Sequence, residues 1–574
     1  MRLPIISITA LLTLISTVTI SDFPLIQNPK SKIPNDSVLA QTPDIQLEES
    51  LGIGNGSNNA NKVSIFETQA SSYTELRSKI VVETDTETRG RRDAPEMNVL
   101  RMNATGYYTH LIQTLIAQNK TDAALEIAER DRARAFLELL SNDSSSSRMG
   151  QSIALNQTIA PPTIEDIKRI AKEHQATLVS YSIINDVIPV QGKHKSQESE
   201  VLIWVISPRG EIAFRRVDLK PLLQQKSSLS EVIISTRESI GLRSGGIVPT
   251  AQKEQAKTNQ EKGLLTAPKG LEVNTPREDH KTEGLQQLYQ LLIQPIADLL
   301  PSDPNARVVF IPQGELFLVP FPTLQDTSGK YLIEQHSILT APSIQVLDLT
   351  RKQRERIGTG EYLIVGNPSM PSVAPSSGQP PQQLPNLPGA EREAKAIAQL
   401  LNTTAITGED ATESAILEKM PQARIIHLAT NTIVDSDRGM GSAIALAPDS
   451  PTSGTPQGEA TRGDGLLTAE EIMNLKLNAE LVVLSGCDSG LGRITGDGVI
   501  GLSRSFIAAG ASSVIVSLGY VPDESTAFLM TEFYRNLQQS PDKAQALRNA
   551  MLATRKKYPD PVDWGAFTLI GEAE

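Results

Sequence analysis

The stretch Glu480-Leu481-Val482-Val483-Leu484-Ser485-Gly486-Cys487-Asp488-Ser489-Gly490 runs from an unbroken apolar segment into a cysteine flanked by glycines. Ala479 to Ser485 reads as a strand buried on both faces, because a sheet covered by helices on each side leaves no polar face to alternate with. Gly486 and Gly490 then give room for a tight turn around Cys487. A second segment, Arg424-Ile425-Ile426-His427-Leu428-Ala429-Thr430-Asn431, also passes from an apolar strand into polar residues. In an open parallel sheet, reacting groups collect beyond the carboxyl ends of the strands. Cys487 is the one cysteine of the chain. The plain reading of a free thiol is apolar filler, but Gly, Asp and Ser are poor core neighbours.

Outward from these two segments, short apolar strands alternate with helical stretches. Ala176 to Ile183 and Val201 to Ile206 read as neighbouring strands separated by a polar insertion. Arg307 to Ile311, Tyr362 to Val365, Ala423 to Ala429 and Ser513 to Ser517 read as further strands. Helical patterning covers Gln286 to Leu300, Ala390 to Leu401, Thr412 to Lys419, Gly498 to Ala509 and Ser525 to Leu537. This alternation predicts an α/β domain over 161–574, a mostly parallel sheet flanked by helices. Stretches 244–284, 369–386 and 447–463, rich in Pro, Gly, Ser or Gln, read as polar insertions. The third lies between the two site strands, where a gating or processing loop is placed to act.

Upstream, Leu111, Ile112, Leu115 and Ile116 recur at helical spacing, Asn119 to Asp122 makes a turn, and Ala123, Leu125, Ile127 and Ala128 open a second helix. The spacing predicts a short helical hairpin within 101–145, which serves as a brace because one hairpin is not a repeat array. Residues 41–100 read as a polar linker. Met1-Arg2 precedes an uncharged run from Leu3 to Ile20, and Val38-Leu39-Ala40 offers small residues before Gln41. Residues 1–40 are therefore expected to be a signal peptide or an N-terminal membrane anchor. The chain is expected to be exported, periplasmic or secreted, or held at a membrane through this segment alone.

A net charge of -12 supplies no basic excess for displacing counterions, which argues against nucleic-acid binding. One cysteine excludes an intramolecular disulfide, and with six histidines it offers no metal-ligand cluster. Gly496-Asp497-Gly498 lacks the lysine and spacing of a phosphate loop and reads as a helix start. No cofactor is expected.

The cysteine segment, continued as Leu491-Gly492, resembles the cysteine motif of the CHAT domain, a member of the caspase, separase and gingipain group of peptidases. The resemblance extends through Gly498 to Arg504, Ala509-Gly510-Ala511, Asp523 to Ala527, Lys543 to Arg548 and the closing Trp564 to Glu572. Upstream it takes in Phe310 to Leu316, Pro320-Phe321 and Leu387 to Glu391. Ala128-Glu129-Arg130-Asp131-Arg132-Ala133-Arg134-Ala135-Phe136 is similar to the tetratricopeptide-like hairpin that precedes this domain in CHAT proteins, of which the chain looks like a cyanobacterial type. The resemblance implies a caspase-like fold and a cysteine nucleophile, Cys487, that works by a thioacyl intermediate, with backbone amides near it and the Thr432 region holding the oxyanion.

The same resemblance implies a histidine followed by glycine at the end of the first strand, where this chain has Asn431-Thr432. An imidazole can accept the thiol proton and return one to the leaving amine. A carboxamide does not titrate usefully, so Asn431 can orient or hydrogen-bond but cannot serve as the base. His427 stands four residues earlier, about 13 Å back along the strand, and reads as a buried or supporting residue. His110, His174, His194, His280 and His336 lie outside both motifs. Acidic pockets in this family receive a basic residue of the substrate, which makes Asp464, Asp488 and Asp523 substrate-binding candidates; the plain alternative for each is a loop charge or a helix cap. The expectation is a pseudo-peptidase or binding module for a protein or peptide partner carrying basic residues. The alternative is an active cysteine endopeptidase with an unrecognised base.

Overall fold

The computed structural model describes residues 108–141, 162–190, 193–225, 227–242, 278–374, 380–436, 439–449, 463–495 and 498–574. The expected leader (1–40) and linker (41–100) lie outside these, as do 244–277, 375–379 and 450–462 of the three insertions.

The hairpin expected within 101–145 is present as helix α1 (108–117) and helix α2 (Thr121–Ser141), separated by a short turn at Gln118 and Asn119. Strands β1 (Ala176–Val190), β2 (Lys193–Ile206) and β3 (Ile212–Asp218) form an antiparallel meander. The polar insertion expected between β1 and β2 is ladder instead: Leu178 faces Ile206 at one end, Val190 faces Lys193 at the other, and a bulge lies at Ile184/Asn185. Antiparallel backbone pairing does not need apolar side chains once the ladder runs past the core.

β4 (Arg307–Ile311), β5 (Ser337–Thr340) and β6 (Glu361–Pro368) follow, then the small hairpin β7 (Ser372–Val373) and β8 (Gln382–Gln383) inside the second insertion. β9 (Ala405–Gly408) and β10 (Ala423–Ala429) return to the main sheet. β11 (Thr432–Ile433), β12 (Ala443–Ala445) and β13 (Leu466–Thr468) form a three-stranded sheet beside the site. β14 (Leu481–Leu484), β17 (Ser513–Ser517) and β18 (Phe567–Gly571) complete the main sheet, while β15 (Arg493–Thr495) pairs with β16 (Gly498–Ile500).

The main sheet has eleven strands in the order β3-β2-β1-β4-β5-β18-β17-β14-β10-β6-β9. Its pairings are parallel from β1 through β4 and β5 to β18, and again from β17 through β14, β10 and β6 to β9. Only β18 against β17 interrupts them with an antiparallel step. Side chains of one strand enter two different cores, Leu481 and Val483 on one face and Val482 and Leu484 on the other. That double burial is why the sequence shows continuous apolar runs and no alternation.

Helices α3 (Ile164–Glu173), α4 (Leu229–Ser239), α5 (Glu278–Leu292), α6 (Ile344–Arg354), α7 (Pro388–Leu400), α8 (Leu502–Ala509), α9 (Asp523–Leu537) and α10 (Lys543–Lys557) cover the sheet. Two expectations need correction. Helix α5 begins at Glu278, inside the stretch read as insertion 244–284, and ends at Leu292, before a 3-10 turn over Gln294–Leu299. The helix expected from Gly498 starts at Leu502, because Gly498–Ile500 pairs as a strand with Arg493–Thr495. That strand presses on the cysteine loop: a Cβ on Gly492 would sit 2.1 Å from Ile500 O, which only glycine avoids.

Helix α2 fastens to the sheet through buried polar groups. Glu129 accepts from Ile344 N at 2.7 Å and from Ser180 Oγ at 3.1 Å. Arg132 pairs with Glu129 at 2.6 Å and donates to Tyr181 O and to Ser182 Oγ. Trp204 Nε1 donates to Thr121 O at 2.9 Å, at the first residue of the helix.

Candidate functional site

β10 and β14 lie side by side and parallel, with Leu428 opposite Leu484. Counting three residues on from each brings Asn431 and Cys487 to the same level, beyond the carboxyl edge of the sheet. Thr432 joins the two loops directly, its hydroxyl donating to Cys487 O. Gly486 is packed on the first loop, where a Cβ would stand 2.2 Å from Thr430 O. Cys487 is half-buried, and its Sγ lies 3.8 Å from Val521 O.

The turn after the cysteine is held to the end of β17. Ser489 N donates to Ser517 Oγ at 3.2 Å, Ser517 N donates to Ser489 Oγ at 2.9 Å, and Gly490 N donates to Ser517 O at 2.7 Å. Asp488 adopts φ of 60°, a left-handed conformation that aspartate tolerates better than most side chains. Its amide donates to Gly519 O at 3.1 Å, and the residue is only 3% exposed.

Asn431 faces away from general-base chemistry. Its Nδ2 donates to Pro385 O at 2.9 Å and lies 3.3 Å from Met370 Sδ, both contributed by the stretch around the β7–β8 hairpin. Its own carbonyl accepts from Ala445 N at 2.9 Å. His427 is fully buried under the sheet, with Nε2 2.9 Å from Glu393 Oε1 on α7 and Nδ1 3.2 Å from Tyr534 Oη on α9. Burial, reinforced by Glu393, holds the Tyr534 phenol well above its ordinary value. Glu393 and Tyr534 thus occupy both ring nitrogens of His427. His174 faces Glu572 at 3.5 Å, and His336 is buried near Arg548 and Lys330. The side chains of His194 and His280 lie outside the described residues.

The three acidic candidates part company. Asp488 sits in the cysteine turn, where its charge favours the charged form of the buried Arg237 guanidinium. Asp523 is exposed at the first turn of α9, against Gly389 at the start of α7. Burial, then the nearby Cys487 and Asp523, push the Tyr520 phenol above the ordinary value, although the residue remains 45% exposed. Asp464 belongs elsewhere. It accepts from Leu466 N at 2.8 Å, and burial together with Glu471 raises its carboxyl. Its neighbour Glu413 is also raised by burial and accepts from Gly463 N and Gly465 N at 3.0 Å each. No group of acidic, histidine or cysteine side chains able to hold a metal occurs among the described residues.

Sequence reasoning passed over Tyr520, Arg237, Glu393 and Tyr534. Tyr520 was within reach of the rule that found Cys487, since it follows an apolar strand at its carboxyl end. The other three lie on helices with no motif to mark them.

The fold is thus of the α/β class, a mostly parallel sheet flanked by helices with a glycine-flanked thiol at its carboxyl edge. The match to the CHAT domain spans residues 282–572, and the chain belongs to that family. Tetratricopeptide repeat protein 28 of Homo sapiens is 26% identical across 81% of this chain, and its Mus musculus counterpart 25%. The chain spans 22% of the length of these curated relatives. Among solved structures, the Saccharomyces cerevisiae separase–securin complex is similar at a TM-score of 0.42 and 13% identity, covering 79% of this chain and 34% of that one. The complex of Porphyromonas gingivalis RgpB pro- and mature domains is similar at a TM-score of 0.31 and 12% identity, covering 62% of this chain and 77% of that one.

Proposed function

We propose that this CHAT domain is a pseudo-peptidase, a caspase-like scaffold that binds a peptide or protein partner with little or no cleavage. One observation carries the reading: Asn431 occupies the level of Cys487, and its carboxamide is spent on Pro385 O. The sulfur has a non-titrating group where proton transfer is needed, and His427 is committed to Glu393 and Tyr534. The partner is a protein or peptide with basic residues, drawn by the exposed carboxylate of Asp523 beside Tyr520. The names of the curated relatives and of the separase–securin complex are in keeping with a protein-binding role. The N-terminal segment exports the chain or anchors it; among the described residues, no helix is long and apolar enough to cross a membrane.

The test compares wild type, Cys487→Ala and Asn431→His on peptides with basic residues, together with a thiol-directed probe. Negligible turnover by wild type, with cleavage gained in Asn431→His, supports the proposal. Wild-type cleavage that vanishes in Cys487→Ala rejects it in favour of an active cysteine endopeptidase. Fractionation of cells expressing the full chain tests the export proposal, which a purely cytoplasmic product overturns.

A further inference from the structure

Helix α4 precedes the residues that match the CHAT domain, yet its Arg237 reaches the residue that follows β17, beside those that hold the cysteine turn. The side chain is buried, 3% exposed. Its Nη1 donates to Leu318 O at 2.8 Å and its Nη2 to Leu518 O at 2.6 Å. The next residue, Gly519, accepts the amide of Asp488, and a Cβ on Gly519 would stand 3.2 Å from Leu242 Cα, just beyond α4. Burial brings Arg237 down to about 10 while the Asp488 carboxylate works against it, so the guanidinium is charged at neutral pH. The other end of α4 is tied to the β1–β2 hairpin, where Leu229 N and Ser230 Oγ donate to Glu198 at 2.8 and 2.9 Å.

The geometry points to Arg237 as a positioning residue for the Cys487 loop, supplied from outside the residues that match the CHAT domain and acting through Leu518, whose neighbour Gly519 accepts the Asp488 amide. A planar fork of donors suits the two carbonyls of Leu318 and Leu518, which a point-charge ammonium does not reproduce. Asp488 directly follows the cysteine, so whatever fixes its backbone fixes the point from which the Cys487 side chain leaves the loop. The inference concerns the placement of the sulfur alone and stands whether or not Cys487 cleaves peptides.

Because Cys487 is the sole thiol, its alkylation by iodoacetamide reports on this loop without interference. The experiment measures the rate from pH 5 to 10 in full-length wild type, Arg237→Met, Arg237→Lys, Asp488→Asn and the double variant Arg237→Met/Asp488→Asn. In Arg237→Met the midpoint of the rate–pH profile moves up by about one pH unit, because the charge of the neighbouring Asp488 is then no longer opposed by Arg237. Adding Asp488→Asn brings the midpoint most of the way back. Arg237→Lys keeps the midpoint but changes the plateau rate several-fold, because the fork to Leu318 and Leu518 is lost. A folded Arg237→Met protein with the wild-type midpoint and plateau overturns the inference, whatever its melting temperature. Should Arg237→Met prove insoluble, a wild-type plateau and midpoint in Arg237→Lys overturn it equally, and a changed plateau supports it.

Discussion

The hydroxyl of Thr432 donates to the carbonyl oxygen of Cys487, so the loops leaving β10 and β14 are closed on each other at the site itself. Thr432→Val keeps the branched shape that packs 3.4 Å from the Cβ position of Gly486 and removes only the donor. A hydrogen bond of this kind contributes about 1 kcal/mol net. The expected outcome is a loss of about that size in urea unfolding, with faster alkylation of Cys487. An unchanged alkylation rate means that the cysteine loop is held without Thr432.

His427 and the thiol are predicted to be independent. His427→Phe keeps a ring in the slot but leaves the Glu393 carboxylate and the Tyr534 hydroxyl buried without a partner. Leaving such groups unsatisfied costs about 3 kcal/mol or more in stability. The alkylation rate of Cys487 in the folded variant should match wild type. A tenfold fall would place the imidazole in contact with the sulfur and restore a base to the site.

The interior of the sheet was legible in the sequence because doubly buried strands write themselves as apolar, β-branched runs. Arg307–Ile311, Ala423–Ala429 and Ser513–Ser517 begin and end where the composition changes. Ser337–Thr340 and Ala405–Gly408 were not, since neither is a continuous run of large apolar residues, and the second is a half-exposed edge. Gly498–Ile500 was mistaken for helix because its pairing with Arg493–Thr495 is a tertiary fact that overrides local pattern. At the site, glycines announced the cysteine turn. Arg237 reaches Leu518 O across 281 positions of sequence, and no local signal marks a contact made only by the finished fold.

His336 should make the protein acid-sensitive. Burial, with Arg548 and Lys330 nearby, lowers it from 6.5 to about 4. Between those values the unfolded chain binds the proton and the folded one does not, so stability falls as pH drops from about 6.5 towards about 4. The full shift corresponds to about 3 kcal/mol, lost below the folded value and absent above the unfolded one. His336→Gln removes this component. Urea midpoints at pH 7 and pH 4 should therefore lie closer together in the variant than in wild type. Equal pH sensitivity in the two proteins would show that His336 is protonated at no cost.

The buried pair Glu129–Arg132 is predicted to hold the helical hairpin on the sheet. Arg132→Met strands the Glu129 carboxylate in the interior, where it keeps Ile344 N and Ser180 Oγ as donors but loses its counter-charge. Removing one member of a buried ion pair costs about 3–5 kcal/mol. Replacing both, as Glu129→Gln/Arg132→Met, leaves an amide that still accepts from Ile344 N, and should recover most of that loss. The same cycle followed by limited proteolysis locates the effect. Cleavage within Thr121–Ser141 should become faster in Arg132→Met and return towards wild type in the double variant, while the sheet strands stay protected. Additive losses in Arg132→Met and Glu129→Gln, with no recovery on combining them, would show that each side chain acts alone and that the attachment lies in the apolar contacts of α2.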